Sequence, residues 1–356
     1  MALQSSGAIS LDDIHDEAGG TSGSTATIND SDIRGLIDKS AGASMAFNEW
    51  YGASAELSGD IGVFGHSIPD SSDTTTSDTG YVVITSTGNG SDFAQYETAY
   101  ALIEQPAAGS SSTRGITAGG TGNDGAGNQV QPVLNYTYTT IRTQAQFADF
   151  GDMDVASYGH AAVCSSTRMV TMGGSTGTTK RLEYITIANT GNGTDFGDIQ
   201  YSGRNNIGGG ISNGTRGIYN GGQEMGVSAT SNHIDYITIA NTGNTADFGN
   251  LRSATATSSG SSNSTIGLIY RGTGANEVDK ITIASTGNAT GQGDMSTSRA
   301  FPSSTGNATR GLVVGGFNKK SIDYFTYASA SDATDFGDLQ NRAYQTPAFS
   351  TAHGGL

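Results

Sequence analysis

An all-β ring of six four-stranded blades, preceded by a small mostly α N-terminal module, is the fold this sequence predicts, on three observations. The first is a phrase, IDYITIANTGNTADFGNL at 234–251, that recurs as LEYITIANTGNGTDFGDI (182–199), VDKITIASTGNATGQGDM (278–295) and IDYFTYASASDATDFGDL (322–339). Fainter copies, YVVITSTGNGSDFAQY (81–96) and LNYTYTTIRTQAQFADFGDM (134–153), bring the count to six. A spacing of roughly 45 to 60 residues marks an array of supersecondary units, none of which buries its apolar face alone. The second observation is an apolar run before each copy that ends in small residues, as in TRGITAGG (113–120), TRMVTMGG (167–174), TRGIYNGG (215–222), TIGLIYRG (265–272) and TRGLVVGG (309–316). The third lies at the ends. The first copy starts at GDIGVFGH (59–66) with no strand before it, and the chain finishes in NRAYQTPAFSTAHGGL (341–356), a strand with no copy after it. The last strand can complete the first blade, which closes the ring and removes its edges.

Each unit then reads as four strands in order. Strand A is the Ala-containing segment, B the TRG…GG run, C the IDYITIA run and D the TDFGDL run. In strand C, Ile234 and Tyr236 share one face while Ile237 and Ile239 share the other. Apolar residues on both faces require a sheet covered on both sides, as a propeller blade is between its neighbours. The T-G-N after strand C supplies residues for positive φ in a tight hairpin. The Gly-Gly after strand B allows a sharp exit and close backbone approach.

Composition narrows the function classes. The chain has 356 residues, 53 glycines and only 14% charged residues, but its regular β-branched and aromatic runs provide a core that a disordered linker lacks. The net charge of −16 argues against nucleic-acid binding, since no basic patch offsets it. One cysteine, Cys164, excludes an intrachain disulfide and a multi-cysteine metal site, and reads as a small buried thiol. The five histidines show no ligand spacing, so neither metal nor cofactor is expected. The N-terminus has no signal-peptide pattern and no run is long enough to span a bilayer, so synthesis in a cytoplasm without membrane insertion is expected.

The apolar run before Gly-Gly, followed by an aromatic strand, resembles kelch-type propellers, which makes the expected fold a six-bladed kelch-like β-propeller over residues 58–356. Phe of DFGD stands where the kelch Trp is usual. DFG itself is similar to a kinase triad, but its four copies in hairpins with no phosphate loop make it structural. Arg114, Arg168, Arg216 and Arg310 open strand B in copies whose strand D carries Asp149, Asp195, Asp247 and Asp335. In the fifth copy Ile266 replaces the arginine and Gly291-Gln292 the Asp-Phe, and this joint loss predicts Arg–Asp ion pairs.

Residues 1–57 form a separate module with short helices expected at about 10–16, 31–38 and 45–50. Its pieces SGAISLDDI and AGASMAFNEWYG resemble N-terminal segments of tail-fibre and tail-tip proteins of tailed bacteriophages. There a G-x-I-S-L-x-D-I element precedes one ending in aromatic-Tyr-Gly, matched here by Asn48, Glu49, Trp50, Tyr51 and Gly52. Propellers with YITIA…TGNATDFGDL repeats also look like virion proteins of marine phages. These resemblances imply that the module docks to other virion proteins, with Phe47, Trp50 and Tyr51 as its apolar cluster, while the propeller is displayed outward. A homo-oligomer in the particle is expected.

In a four-stranded meander the B–C and D–A connections share one face of the ring. The C–D turns are nearly uniform, whereas the B–C segments differ in every unit, and variable polar loops on a rigid ring are where binding usually sits. The candidate receptor-binding residues are Asp70, Asp73, Asp78, Asn123, Asp124, Gln129, Gln223, Glu224, Asn276, Glu277, Asn318 and Lys319. Their polarity suits a host-surface polysaccharide or protein. The expectation is a non-enzymatic tail-associated virion protein. Its alternatives are a structural tail or capsid decoration without a receptor, and more remotely a glycan-active enzyme, for which no converging carboxylate pair is visible.

Overall fold

In the computed structural model, residues 3, 8–37, 39–40, 42–50, 56–65, 78–95, 101–123, 129–130, 133–175, 180–200, 204–205, 210–224 and 229–352 are described. They form two compact units, Met1–Ser58 with Arg142–Gln144, and Gly59–Ile141 with Ala145–Leu356.

The larger unit is a six-bladed β-propeller of four-stranded antiparallel blades. Blade 3 shows the plan, with Ala161–Cys164 as strand A, Arg168–Met172 as B, Arg181–Thr186 as C and Thr194–Asp198 as D. The ring closes as the ends of the sequence predict. Ala348–Ser350 is strand A of blade 1 and pairs with Ile61–Gly65 in the register Gly62↔Ser350, Val63↔Phe349, Phe64↔Ala348. Strand C is covered on both faces. Ile234 and Tyr236 pack with Ile281 and Ile283 of blade 5, while Ile237 and Ile239 pack with Leu182 of blade 3.

Blades meet by size matching near the axis. Strand B carries glycine after its first residue because a strand A side chain of the preceding blade fills that space. A Cβ on Gly115 would collide with Phe349, one on Gly217 with Val163, and one on Gly267 with Ile211. At the blade 2–3 junction the sizes are exchanged, with Met169 in strand B facing Gly109 in strand A.

The recurring phrase is a clasp between neighbours. The T-G-N glycines Gly191, Gly243 and Gly287 have φ of 157–159°, almost extended, so they do not form the tight hairpin expected of them. They reach back to strand D of the preceding blade instead. Gly191, Gly243, Gly287 and Gly88 donate N–H to the carbonyls of Phe150, Phe196, Phe248 and Phe336 at 2.7–2.9 Å. The following Asn192, Asn244, Asn288 and Asn89 accept from the N–H of Asp152, Asp198, Asn250 and Asp338 at 2.9–3.0 Å. The DFG glycine, at φ 143–149°, leaves the space in which the neighbouring turn's carbonyl sits.

The smaller unit has helices Leu11–Glu17 and Ser31–Gly35 and a 3-10 turn Phe47–Trp50. Ser10 caps the first through a reciprocal bond with Asp13, as Ser-x-x-Asp favours. Trp50 is completely buried with Leu3, Ile14 and Ile33, and its indole N–H donates to the Ile33 carbonyl at 3.0 Å. Trp50 is therefore this unit's own core and not a docking surface. Phe47 is 45% exposed, and Tyr51 lies outside the described residues. Among the described residues no helix is long and apolar enough to cross a membrane.

Candidate functional site: the channel mouth

The expected Arg–Asp pairs are not formed. Asp149, Asp195, Asp247 and Asp335 are exposed, because alternation along strand D turns Phe inward and Asp outward. The arginines sit over tyrosines of strand C. Arg114, Arg168, Arg216 and Arg310 sit 4.2–4.7 Å above Tyr138, Tyr184, Tyr236 and Tyr324. Each tyrosine in turn meets the strand D phenylalanine edge-on at 5.9–6.2 Å. The guanidinium groups donate to carbonyls ending strand C of the next blade, Arg168 to Ile239 and Ala240 at 3.0 and 2.8 Å. In blade 5 the whole triad is replaced by Ile266, Lys280 and Gln292, and Gln292 donates to the Ser329 carbonyl of blade 6 at 2.6 Å. The joint loss thus tracks an Arg–Tyr–Phe stack.

True ion pairs occur elsewhere. Strand C of blades 3 to 6 carries a buried acid, Glu183, Asp235, Asp279 and Asp323. The crossover leaving the preceding blade meets it. Arg204 pairs with Asp235, Arg252 Nε lies 2.6 Å from Asp279, and Arg299 lies 2.9 Å from Asp323. Removing Arg204 or Arg299 would strand a buried carboxylate, whereas Asp279 also meets Arg271 at 3.2 Å. Glu183 accepts from the Asp154 N–H at 3.0 Å and from the Tyr136 hydroxyl at 3.1 Å, and burial pushes its pKa up. The cavity beside it, about 20 Å³, holds no more than a water or so.

A larger cavity, about 120 Å³, opens where the A strands begin. Strand A runs antiparallel to B, so this is the face that carries the B–C segments. Its lining comes from all six blades, and the described lining contains no Asp, Glu, Lys or Arg. The backbone turns left-handed two residues ahead of the first A-strand position at Gln105, Gly159, Thr257 and Phe301, and three ahead at Gln345, with φ between 55 and 63°. For a non-glycine residue that costs about 1–2 kcal/mol. Backbone bonds that run from blade to blade offset it. Gln105 N–H donates to Gln345 O at 2.7 Å, Gly159 N–H to Gln105 O at 2.9 Å, and Gln345 N–H to Phe301 O at 3.3 Å. The amide of Gln105 also donates to that of Gln345 at 2.8 Å. His160 in the lining is buried with neither ring nitrogen bonded, and burial pulls its pKa down to about 4, so it is neutral. Cys164, at the far end of strand A of blade 3, is buried as expected and its thiol is pushed up to about 12 by burial.

None of the described receptor-binding candidates lines this cavity. Asp70, Asp73 and Asp124 lie outside the described residues, and Asp78, Asn123 and Gln129 are described by their backbone alone. In three B–C segments the described candidates belong to strands. Asn123 pairs with Gln129 and Ala101, Gln223 and Glu224 pair with Asn205 and Arg204, and Asn276 and Glu277 belong to the ten-residue strand Thr273–Thr282. Glu277 lies 3.7 Å from Arg271. Asn318 accepts from Arg342 at 3.2 Å beside Lys319. The residues that do line the mouth, Gln105, His160, Phe301 and Gln345, fall outside the recurring phrase. A signal for them exists: three of the chain's five prolines, Pro106, Pro302 and Pro347, stand at A-strand openings.

Among the described residues no group of three or more His, Cys, Asp or Glu side chains could hold a metal ion. Fold and site together define a closed propeller with one clasped face and one face that opens into a neutral polar mouth. No family model matches the chain, and no curated protein is similar to it.

Proposed function

We propose that the chain is a structural protein of a bacteriophage virion, tail-associated and of the fibre or tip type, whose propeller contributes to attachment at the host surface. The small helical unit joins it to other virion proteins, with Phe47 as the exposed apolar contact. The observation that carries the attachment role is the inequality of the two faces. One is occupied by near-identical inter-blade clasps, and the other carries segments of unequal length around a polar mouth. A rigid ring presenting unlike segments is suited to recognition. The virion assignment is supported by the N-terminal segments SGAISLDDI and AGASMAFNEWYG.

The test is adsorption of the purified full chain to host cells and envelope fractions, alongside cross-linking mass spectrometry of intact particles. Saturable adsorption that competes with particles, with cross-links from residues 1–57 to tail components, is the expected outcome. Cross-links without adsorption would instead favour a structural decoration with no receptor.

A further inference from the structure

We propose that the channel mouth binds the end of a neutral saccharide chain, with hydroxyls received by the A-strand openings and a sugar face stacked on an aromatic rim. This deepens the attachment reading and rests on it. The rim is a ladder of three rings rising out of the cavity. Phe301 lines the mouth, Tyr344 meets it edge-on at 5.1 Å, and Phe317 meets Tyr344 at 5.5 Å. Phe317 is 60% exposed, the most exposed large apolar side chain among the described residues. Such a ring on a rigid scaffold has little packing reason to face water and suits a flat apolar ligand face.

The interior of the site has complementary chemistry. Hydroxyl, amide and imidazole groups surround the cavity, and several lack partners although buried: both nitrogens of His160 and the hydroxyls of Ser259 and Ser304. Buried polar atoms without partners are uncommon, and a ligand bearing both donors and acceptors would satisfy them. Sugar hydroxyls are such groups. The described lining has no charge to compensate an ionised ligand, and a chain of net charge −16 disfavours acidic sugars further. The volume of about 120 Å³ is roughly ten times what one water needs, so a sugar unit can enter while the rest of its chain crosses the rim.

The experiment is isothermal titration of the full chain with three neutral probes, malto-, cello- and chito-hexaose, and with one acidic probe, hexagalacturonate. Binding of at least one neutral probe is expected, weakened about tenfold by Phe317→Ala and retained by Phe317→Trp. Both variants should keep the parent melting temperature, because Phe317 is exposed. Binding of the acidic probe alone, of no probe, or of neutral probes equally well to Phe317→Ala would overturn the proposal. The same preparations are assayed for adsorption to host cells. Adsorption without saccharide binding defeats the mouth and spares the attachment role, whereas saccharide binding without adsorption does the reverse.

Discussion

Arginine and Asp-Phe vanish together in the fifth copy because the arginine rests on a tyrosine that rests on the phenylalanine. The aspartate merely accompanies that phenylalanine on the solvent side of strand D. The two residues should therefore differ in weight. Arg168→Met removes a cation–π contact and two charge-assisted bonds to the next blade, and should cost about 2 kcal/mol. Asp195→Asn should stay within about 0.5 kcal/mol. Urea midpoints with an unchanged slope measure both, and equal losses would restore the ion pair. Gly109 and Met169 are coupled in the same way. Each breaks its own strand's pattern, and only contact across a blade junction explains why both do.

At the scale of elements, the unit of stability is the junction between two blades rather than the blade. The T-G-N segment of one copy and the DFGD of the previous copy form a backbone lock, repeated around the ring. Blade 1 departs from this pattern. Its strand D reads Asp92-Phe93-Ala94, and the turn that follows in blade 2 has no T-G-N. Gly249→Ala would place a methyl on the Gly287 carbonyl, at a φ of 148° that side chains rarely adopt. A loss on the order of 3 kcal/mol is expected, read by thermal or urea unfolding. A neutral result would show that the clasp yields. Strand order, the A-to-D assignment and the paired-glycine exits were legible in the sequence, because period and alternation are local. The clasp was not, since its two halves belong to different copies and the T-G-N resembles a simple hairpin turn.

For the whole molecule, closure rests on a three-residue strand. Phe349 fills the space beside Gly115 and meets Phe147 edge-on at 6.3 Å, while its backbone pairs with Val63. A chain ending at Thr346 loses that strand and bares the edge of Ile61–Gly65. Such an unpaired apolar edge favours self-association. Light scattering after size exclusion should show assemblies larger than those of the full chain, together with a lower melting temperature. An unchanged size and melting temperature would mean that the ring does not depend on this seam.

The sequence by itself determined the number of blades, the role of each strand and the strand that closes the ring. These follow from a repeat length, an alternation of side chains and an unmatched strand at each end, all of which can be read along the chain. The tertiary structure decided which side chains meet. Arg168 reaches Ile239, 71 positions away, and Gln105 reaches Gln345, 240 positions away. Such contacts exist only once the ring has closed, when its curvature brings neighbouring blades together and gathers six strand openings around one mouth.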